Sequence, residues 1–326
     1  MRVAIVGCGS IGRKRLHSLG KNHKLVIAAD VARERADELV RQVPGAVATA
    51  DWEEAVNRAD VEAVVVATTN QWLAPVTLGA IRAGKHVLVE KPAARSSSEL
   101  HALVAEARER KVCVQVGFNH RYHPAFQKAR EIVETGALGP LMFIRGRYGH
   151  GGRLGYEKEW RAVPDLSGGG ELIDQGVHLI DLASWFLGPF EHVEGFSHTY
   201  FWDMPVEDNG FLLLRTGANQ VAFLHASCTE WKNMFSFEIY GRNAKLHVEG
   251  LGGSYGVERL YFYRMLAQMG PPETTIWEYP GDDTSWAREF QTFSGFIECG
   301  KTPEPGLREA IAALTVVEEV YRRPQS

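Results

Sequence analysis

The 326-residue chain has little cysteine: four residues, Cys8, Cys113, Cys228 and Cys299, scattered and never in a C-x-x-C pair. Such spacing implies neither a zinc site nor a disulfide framework, and a reducing cytoplasm is the expected home. An excess of one charge is missing as well, since 36 Lys plus Arg face 40 Asp plus Glu for a formal charge of −4. Nucleic-acid binders normally show a basic excess or stripe, so no nucleic-acid partner is expected. Long apolar runs are also absent: the longest candidates, such as Val61 to Thr69, fall well short of the ~18 residues a membrane span requires. The apolar start, Val3 to Val6, is too short for a signal-peptide core and leads into glycines and Arg13-Lys14-Arg15. No membrane partner is expected. There is no internal repeat and no low-complexity tract. What is present is a globular composition, 45% hydrophobic and 23% charged, long enough for two domains at roughly 150 residues each.

Residues 1–120 alternate short apolar runs with helical patterns. The runs are Arg2–Val6, Leu25–Ala29, Glu62–Ala67, His86–Val89 and Val112–Val116; the helical stretches are Ile11–Leu19, Ala32–Gln42, Trp52–Asn57, Ala74–Ala83 and Ser97–Arg110. Runs apolar throughout suit strands buried on both faces, and strict alternation predicts a doubly wound parallel α/β domain. From 121 to 326 the pattern changes. A helix is expected at Pro124–Thr135, a strand at Leu141–Tyr148, a polar Gly-rich loop from Gly149 to Gly170, and then mainly strands: Val193–Trp202, Gly210–Leu214, Val221–Ser227, Met234–Tyr240 and Lys245–Glu249. A final helical pattern runs from Gly306 to Arg323. This predicts an α+β domain with a large, mostly antiparallel sheet.

The first strand–helix junction reads Gly7-Cys8-Gly9-Ser10-Ile11-Gly12. A G-x-G-x-x-G carries weight only in this setting: Gly7 for a tight turn, Gly9 for close approach of a diphosphate, Gly12 for helix-on-sheet packing. Asp30 ends the second run, where a carboxylate accepts from both adenosine ribose hydroxyls and repels a 2′-phosphate. That favours NAD, with NADP left open by nearby Arg33 and Arg35; a plain helix N-cap before Val31 is compatible with the same position. Glu90-Lys91-Pro92 follows the fourth run, at the edge of the sheet where ligands bind, although a lysine there is more often a solvated charge. Further on, Gly168 to Asp181 forms an apolar helical pattern that carries Asp174, His178 and Asp181 on one stripe. Buried charges require partners or a task, so a proton-transfer set and a structural hydrogen-bond network are both open readings.

These motifs, together with Ala67-Thr68-x-Asn70, Gly84 to Pro92, and Gly117-Phe118-Asn119, follow one another in order and resemble the Gfo/Idh/MocA family of oxidoreductases. The resemblance implies a Rossmann domain and a C-terminal α/β domain whose open sheet makes homodimers or homotetramers. It implies Lys91, Asp174 and His178 as the catalytic set, with His178 the general base or acid and Lys91 on the reacting oxygen. Gly7, Gly9, Ser10, Ile11, Gly12, Asp30, Thr68, Asn70, Glu90 and Lys91 would then bind the cofactor. The expected substrate is a sugar, cyclitol or sugar nucleotide, met by Lys91, Asn119, Arg121, Asp174 and His178, with Arg147, His150 and Trp160 on another side. Thr69 and Leu73 stand where many relatives have Pro and His. Two alternatives stay open, a glycoside hydrolase that uses NAD transiently and a non-catalytic NAD- or sugar-sensing regulator. Cys8, the remaining histidines and the later tryptophans are read as structural.

Overall fold

The computed structural model describes residues 1–323. The first part of the chain runs β1 (Arg2–Val6), α1 (Ser10–Ser18), β2 (Lys24–Ala29), α2 (Arg33–Val40), β3 (Val47–Thr49), α3 (Trp52–Asn57), β4 (Ala63–Val66), α4 (Asn70–Arg82), β5 (His86–Glu90), α5 (Ser97–Arg110) and β6 (Val114–Gly117). Its six strands are parallel, in the order β3-β2-β1-β4-β5-β6. Every residue of β4 is buried, as a strand covered by helices on both faces demands, which is why the sequence shows an unbroken apolar run there. Strand order reverses between β1 and β4, and at that point the carboxyl ends open a crevice. β3 was not foreseen; it is three residues long and pairs only at the edge, with β2.

The chain then continues through α6 (Pro124–Glu134), β7 (Leu141–Gly149), α7 (Pro164–Ser167), α8 (Val177–Leu187), β8 (Phe190–His198), β9 (Asn209–Thr216), β10 (Val221–Ser227), β11 (Met234–Gly241), β12 (Ala244–Glu249), β13 (Glu258–Arg264), β14 (Glu273–Tyr279), α9 (Ser285–Cys299) and α10 (Leu307–Tyr321). Strands β7–β14 form one sheet in the order β14-β13-β12-β11-β7-β10-β9-β8. All of its pairings are antiparallel except β7 with β10. One face of this sheet is buried under α6 and α8. Gly146 shows how tightly: a β-carbon there would meet Leu224, Phe237 and Leu179 at 3.0–3.2 Å. The opposite face carries exposed side chains, Phe223 and Leu213 among them.

The chain divides into two compact units, residues 1–118 with 165–168 and 286–314, and residues 119–164 with 169–285 and 315–323. A single cut at 120 assigns 286–314 to the second unit, whereas these residues belong to the first. The reason is packing: Phe290 and Phe293 of α9 join the core cluster of Val3, Ile5 and Leu25.

Other differences have local causes. The strand expected to reach Trp202 stops at His198, because the Asp208 carboxylate draws in the Tyr200, Phe201 and Trp202 amides at 2.9, 2.7 and 3.0 Å. No element was expected between Glu249 and Gly306, where β13, β14 and α9 lie; β14 is exposed along most of its length and gives little apolar alternation. Among the described residues, no helix is long and apolar enough to cross a membrane.

Candidate active site

In the first unit the chemistry gathers along the carboxyl edge of the parallel sheet. Gly7 has φ +94°, a conformation that disfavours a side chain, and a β-carbon there would collide with the Ala67 carbonyl. A β-carbon at Gly12 would strike the Gly7 carbonyl, so α1 lies directly on the turn. At Gly9 the same test meets nothing within 4 Å. Gly9 is also the N-cap of α1, whose first turn, Ser10 and Ile11 onward, contains no acidic residue. The loop therefore presents an open, glycine-capped helix end, which fits a diphosphate.

Asp30 anchors this loop. Its Oδ2 accepts the Cys8 amide at 2.7 Å and its Oδ1 the Ala32 amide at 2.9 Å. It is not the N-cap of α2, a position taken by Ala32. Burial and the neighbouring Asp30 charge push the Cys8 thiol up to about 12, so this cysteine stays protonated and inert near neutrality.

Asn70 opens α4 and donates from Nδ2 to the Ser167 carbonyl at 2.8 Å; Thr68 Oγ1 donates to the Thr69 carbonyl at 3.1 Å. The Glu90 carboxylate holds Arg15: it takes Arg15 Nε at 2.6 Å, and Glu289 takes Arg15 Nη1 at 2.5 Å. Arg15 is fully buried and lies 4.5 Å from the centre of the Trp286 ring. Lys91 follows directly on β5. Since β4 separates β1 from β5, the glycine loop and Lys91 share one sheet edge two strands apart, a separation of about 10 Å.

In the second unit, a short 3-10 turn at Asn119–Tyr122 is fastened to α8. Arg121 Nε and Nη2 hold Asp181 Oδ2 and Oδ1 at 2.8 and 2.7 Å, and the guanidinium also lies 5.4 Å from the Trp185 ring centre. Arg121 is only 4% exposed, so the expected substrate-lining residue is a framework residue whose fork grips a carboxylate. Asn119 Nδ2 donates to Ser285 Oγ at 2.9 Å. The neighbour of both, His120, lies against His178 with ring centres 3.8 Å apart and planes tilted by 54°. Tyr148 of β7 presents an edge to each ring. Burial raises the Tyr148 hydroxyl well above its ordinary range, and Tyr255 beside it is pushed up to about 12 for the same reason.

The segment before α8 is not the regular α-helix the sequence suggested: Leu172–Gly176 form a π-helical turn. One extra residue per turn removes Asp174 from a simple four-residue relation to His178, and such turns occur often at functional sites. Glu207 receives the chain here, accepting the Gly170 and Leu172 amides at 3.0 Å each and the Tyr321 hydroxyl at 2.6 Å. Asp174 Oδ2 accepts Arg161 Nε at 2.9 Å, and that carboxylate strengthens the hold of Arg161 on its proton. Trp160, next in the same loop, stacks against the Arg161 guanidinium at 4.7 Å. His150 Nε2 lies 3.6 Å from Glu171, and burial holds its imidazole below the usual histidine range.

Arg147 takes a different place from the one expected. Alternation along β7 sends it to the sheet face opposite Tyr148, where its exposed side chain meets Glu230 at 3.5 Å. Sequence reasoning overlooked His120, Tyr148 and Arg161. The signal for His120 was its place beside Arg121, directly after a parallel strand; for Arg161 there was none short of the structure.

Residues 1–118 match a family described as "Oxidoreductase family, NAD-binding Rossmann fold", and residues 126–247 match the "GFO/IDH/MocA C-terminal domain". Levoglucosan dehydrogenase of Pseudarthrobacter phenanthrenivorans is 30% identical over 186 residues, 56% of this chain and 48% of that protein. Inositol 2-dehydrogenase 2 of Saccharopolyspora erythraea is 30% identical over 203 residues, 61% of this chain and 57% of that protein. In these alignments the chain spans about half the length of the curated relatives it matches. Among solved structures, levoglucosan dehydrogenase in complex with NADH and L-sorbose superposes with a TM-score of 0.88 at 22% identity, covering 99% of this chain and 97% of that one. A 3-ketoreductase from Actinomadura kijaniata in complex with NADP and TDP-benzene gives 0.83 at 22% identity, over 98% and 97%. These likenesses carry the fold, and the two family matches carry the rest: the chain belongs to the Gfo/Idh/MocA oxidoreductases and has their NAD-binding Rossmann domain.

Proposed function

We propose that this protein is an NAD-dependent dehydrogenase that oxidises a carbinol carbon of a sugar, cyclitol or sugar nucleotide, or reduces the corresponding ketone. The observation that carries the reading is Lys91 on the same carboxyl edge as the glycine loop, two strands from it. The names of the relatives, which include an inositol 2-dehydrogenase and a dTDP-dideoxyglucose 3-reductase, support a polyhydroxylated ring.

Bound nicotinamide supplies the hydride acceptor or donor. As the carbinol carbon gives up its hydride, the hydroxyl proton passes to His178 and the C–O bond becomes a carbonyl; in reverse, His178 returns that proton. Lys91 donates a hydrogen bond to the reacting oxygen and stabilises the negative charge that develops there. Asp174, fixed by Arg161, accepts from a ring hydroxyl. Trp160 supplies an apolar face to the sugar and Asn119 a polar one, while Arg121 supports the site through Asp181. Gly7, Gly9, Ser10, Ile11 and Gly12 cradle the diphosphate, with Thr68 and Asn70 farther along the same edge. Asp30 reads the adenosine ribose, which favours NAD over NADP. Glu90 acts through Arg15. The exposed face of the eight-stranded sheet, with Phe196, Leu213 and Phe223 each about half exposed, suits assembly into a homodimer or homotetramer, which sedimentation velocity measures.

The test is the near-ultraviolet absorbance of reduced nicotinamide, followed with NAD and with NADP across aldoses, inositols and nucleotide sugars. A substrate-dependent rise with NAD supports the dehydrogenase. No rise across the panel, with cofactor retained on the purified protein, argues instead for a transient redox cycle or a sensor.

A further inference from the structure

Two imidazole rings with centres 3.8 Å apart repel each other when both are charged, and burial strengthens that repulsion. His120 and His178 are both buried, 5% exposed each. Their approach is built in. Arg121 and Asp181, joined by two hydrogen bonds, stand one residue after His120 and three after His178, so the ion pair clamps the turn to the helix where the rings meet. Tyr148 closes the edge of both rings, and its raised hydroxyl stays neutral.

Two of the carboxylates around the pair are matched by arginines. Asp181 is matched by Arg121 and Asp174 by Arg161. Glu171 lies 3.6 Å from His150, whose imidazole burial keeps from charging, so it is a neighbouring carboxylate that favours the single proton on the pair. On the far side of His120 is His123, whose ring centre is 5.7 Å away and whose Nδ1 and Nε2 meet Glu258 at 2.8 Å and Asp283 at 3.9 Å.

We propose that His120 and His178 titrate as a coupled pair that holds a single proton, so that His120 is a positioning residue for the proton acceptor. The proton that His178 takes from substrate is the only one the pair accepts near neutrality. A proton already on His120 disables His178. The inference rests on the role given to His178 under the proposed function.

The experiment is a pH titration of the histidine Cε1–Hε1 resonances in the protein alone, labelled with carbon-13, in wild type and in His120→Gln, His120→Phe and His178→Asn. The expected result is two-step titration in the wild type, each resonance responding to both steps, with midpoints more than about one pH unit apart. In each single variant the surviving histidine titrates in one step. Monophasic curves in the wild type overturn the proposal, and so do survivors whose midpoints do not change; the wild-type curve alone is decisive if a variant fails to fold. Activity separates the two readings. His120→Gln should lower kcat about tenfold with KM within about twofold, short of what loss of the general base itself removes. If His178→Asn retains full kcat, the proposed function fails while the titration still reports the coupling.

Discussion

Arg121 grips Asp181 through two parallel hydrogen bonds of 2.8 and 2.7 Å, tying the turn after β6 to the middle of α8 inside the second unit. Replacing one partner leaves the other as a buried charge. Arg121→Ala and Asp181→Asn should each destabilise the fold by about 3–5 kcal/mol. Arg121→Lys should recover only part of this, since a lysine cannot reproduce the fork. Urea unfolding of the three variants measures it, and a loss below about 1 kcal/mol would show that the pair contributes no more than a surface bridge.

Lys91→Ala should leave NAD affinity nearly intact and lower kcat by about two to three orders of magnitude, as loss of a donor to a developing oxyanion does. Fluorescence titration with NAD and steady-state rates separate the two effects. Equal loss of binding and turnover would contradict the assigned role.

Asp30→Ala should shift the ratio of kcat/KM values toward NADP by removing the charge that repels a 2′-phosphate. The same substitution deprives the Cys8 amide of its acceptor, so NAD binding should weaken as well. An unchanged ratio means the carboxylate serves the loop and does not read the ribose.

Arg15 is the only cation bonded to both Glu90 and Glu289 among the described ion pairs. Arg15→Met should cost about 3–5 kcal/mol, and adding Glu90→Gln and Glu289→Leu should return much of it, because a buried ion triad is worth little against an uncharged equivalent. Chemical unfolding of the single and triple variants decides. A triple variant less stable than the single one would refute the argument.

Stability should also fall with pH through the histidine range. Burial holds His23, His86, His150, His225 and His247 below the ordinary histidine range. The unfolded chain binds these protons more readily, so stability is full above the unfolded pKa of about 6.5 and declines as pH drops below it. His86 is a clear instance, because its Nδ1 accepts the Cys113 amide at 3.0 Å. Unfolding midpoints at about pH 7.5 and 5.5 should differ, and His86→Gln should narrow that difference.

The parallel sheet was legible because burial on both faces writes itself as unbroken apolar runs, and the glycine loop because Gly7 and Gly12 admit no side chain. β14 was hidden by its exposure, and β8 overran because Asp208, ten residues past its end, recruits the backbone after His198. Asp174 and His178 drew notice as buried polar groups on one stripe, open to a structural or a proton-transfer reading, whereas Lys91 read as a solvated charge until the family resemblance put the three forward as a set. The pairing of Arg121 with Asp181, the π-helical turn and the closeness of His120 to His178 were not legible, since each depends on contacts between residues far apart in the chain or on one extra residue per turn. Arg147 was misjudged because nothing but strand phase tells which face of β7 it takes.

The single parallel pairing of the eight-stranded sheet, β7 with β10, has a kinetic meaning. Antiparallel neighbours close through short hairpins, but these two strands meet only after the chain has run out through the Arg161 loop, the π-helical turn, α8 and the β8–β9 pair, and returned. The residues that carry His178 thus lie inside one long closed loop. Its entropy rises slowly with length, yet such distant contacts slow folding. On refolding, the second unit should regain its local hairpin signals first and the His120–His178 contact only when the centre of the sheet closes.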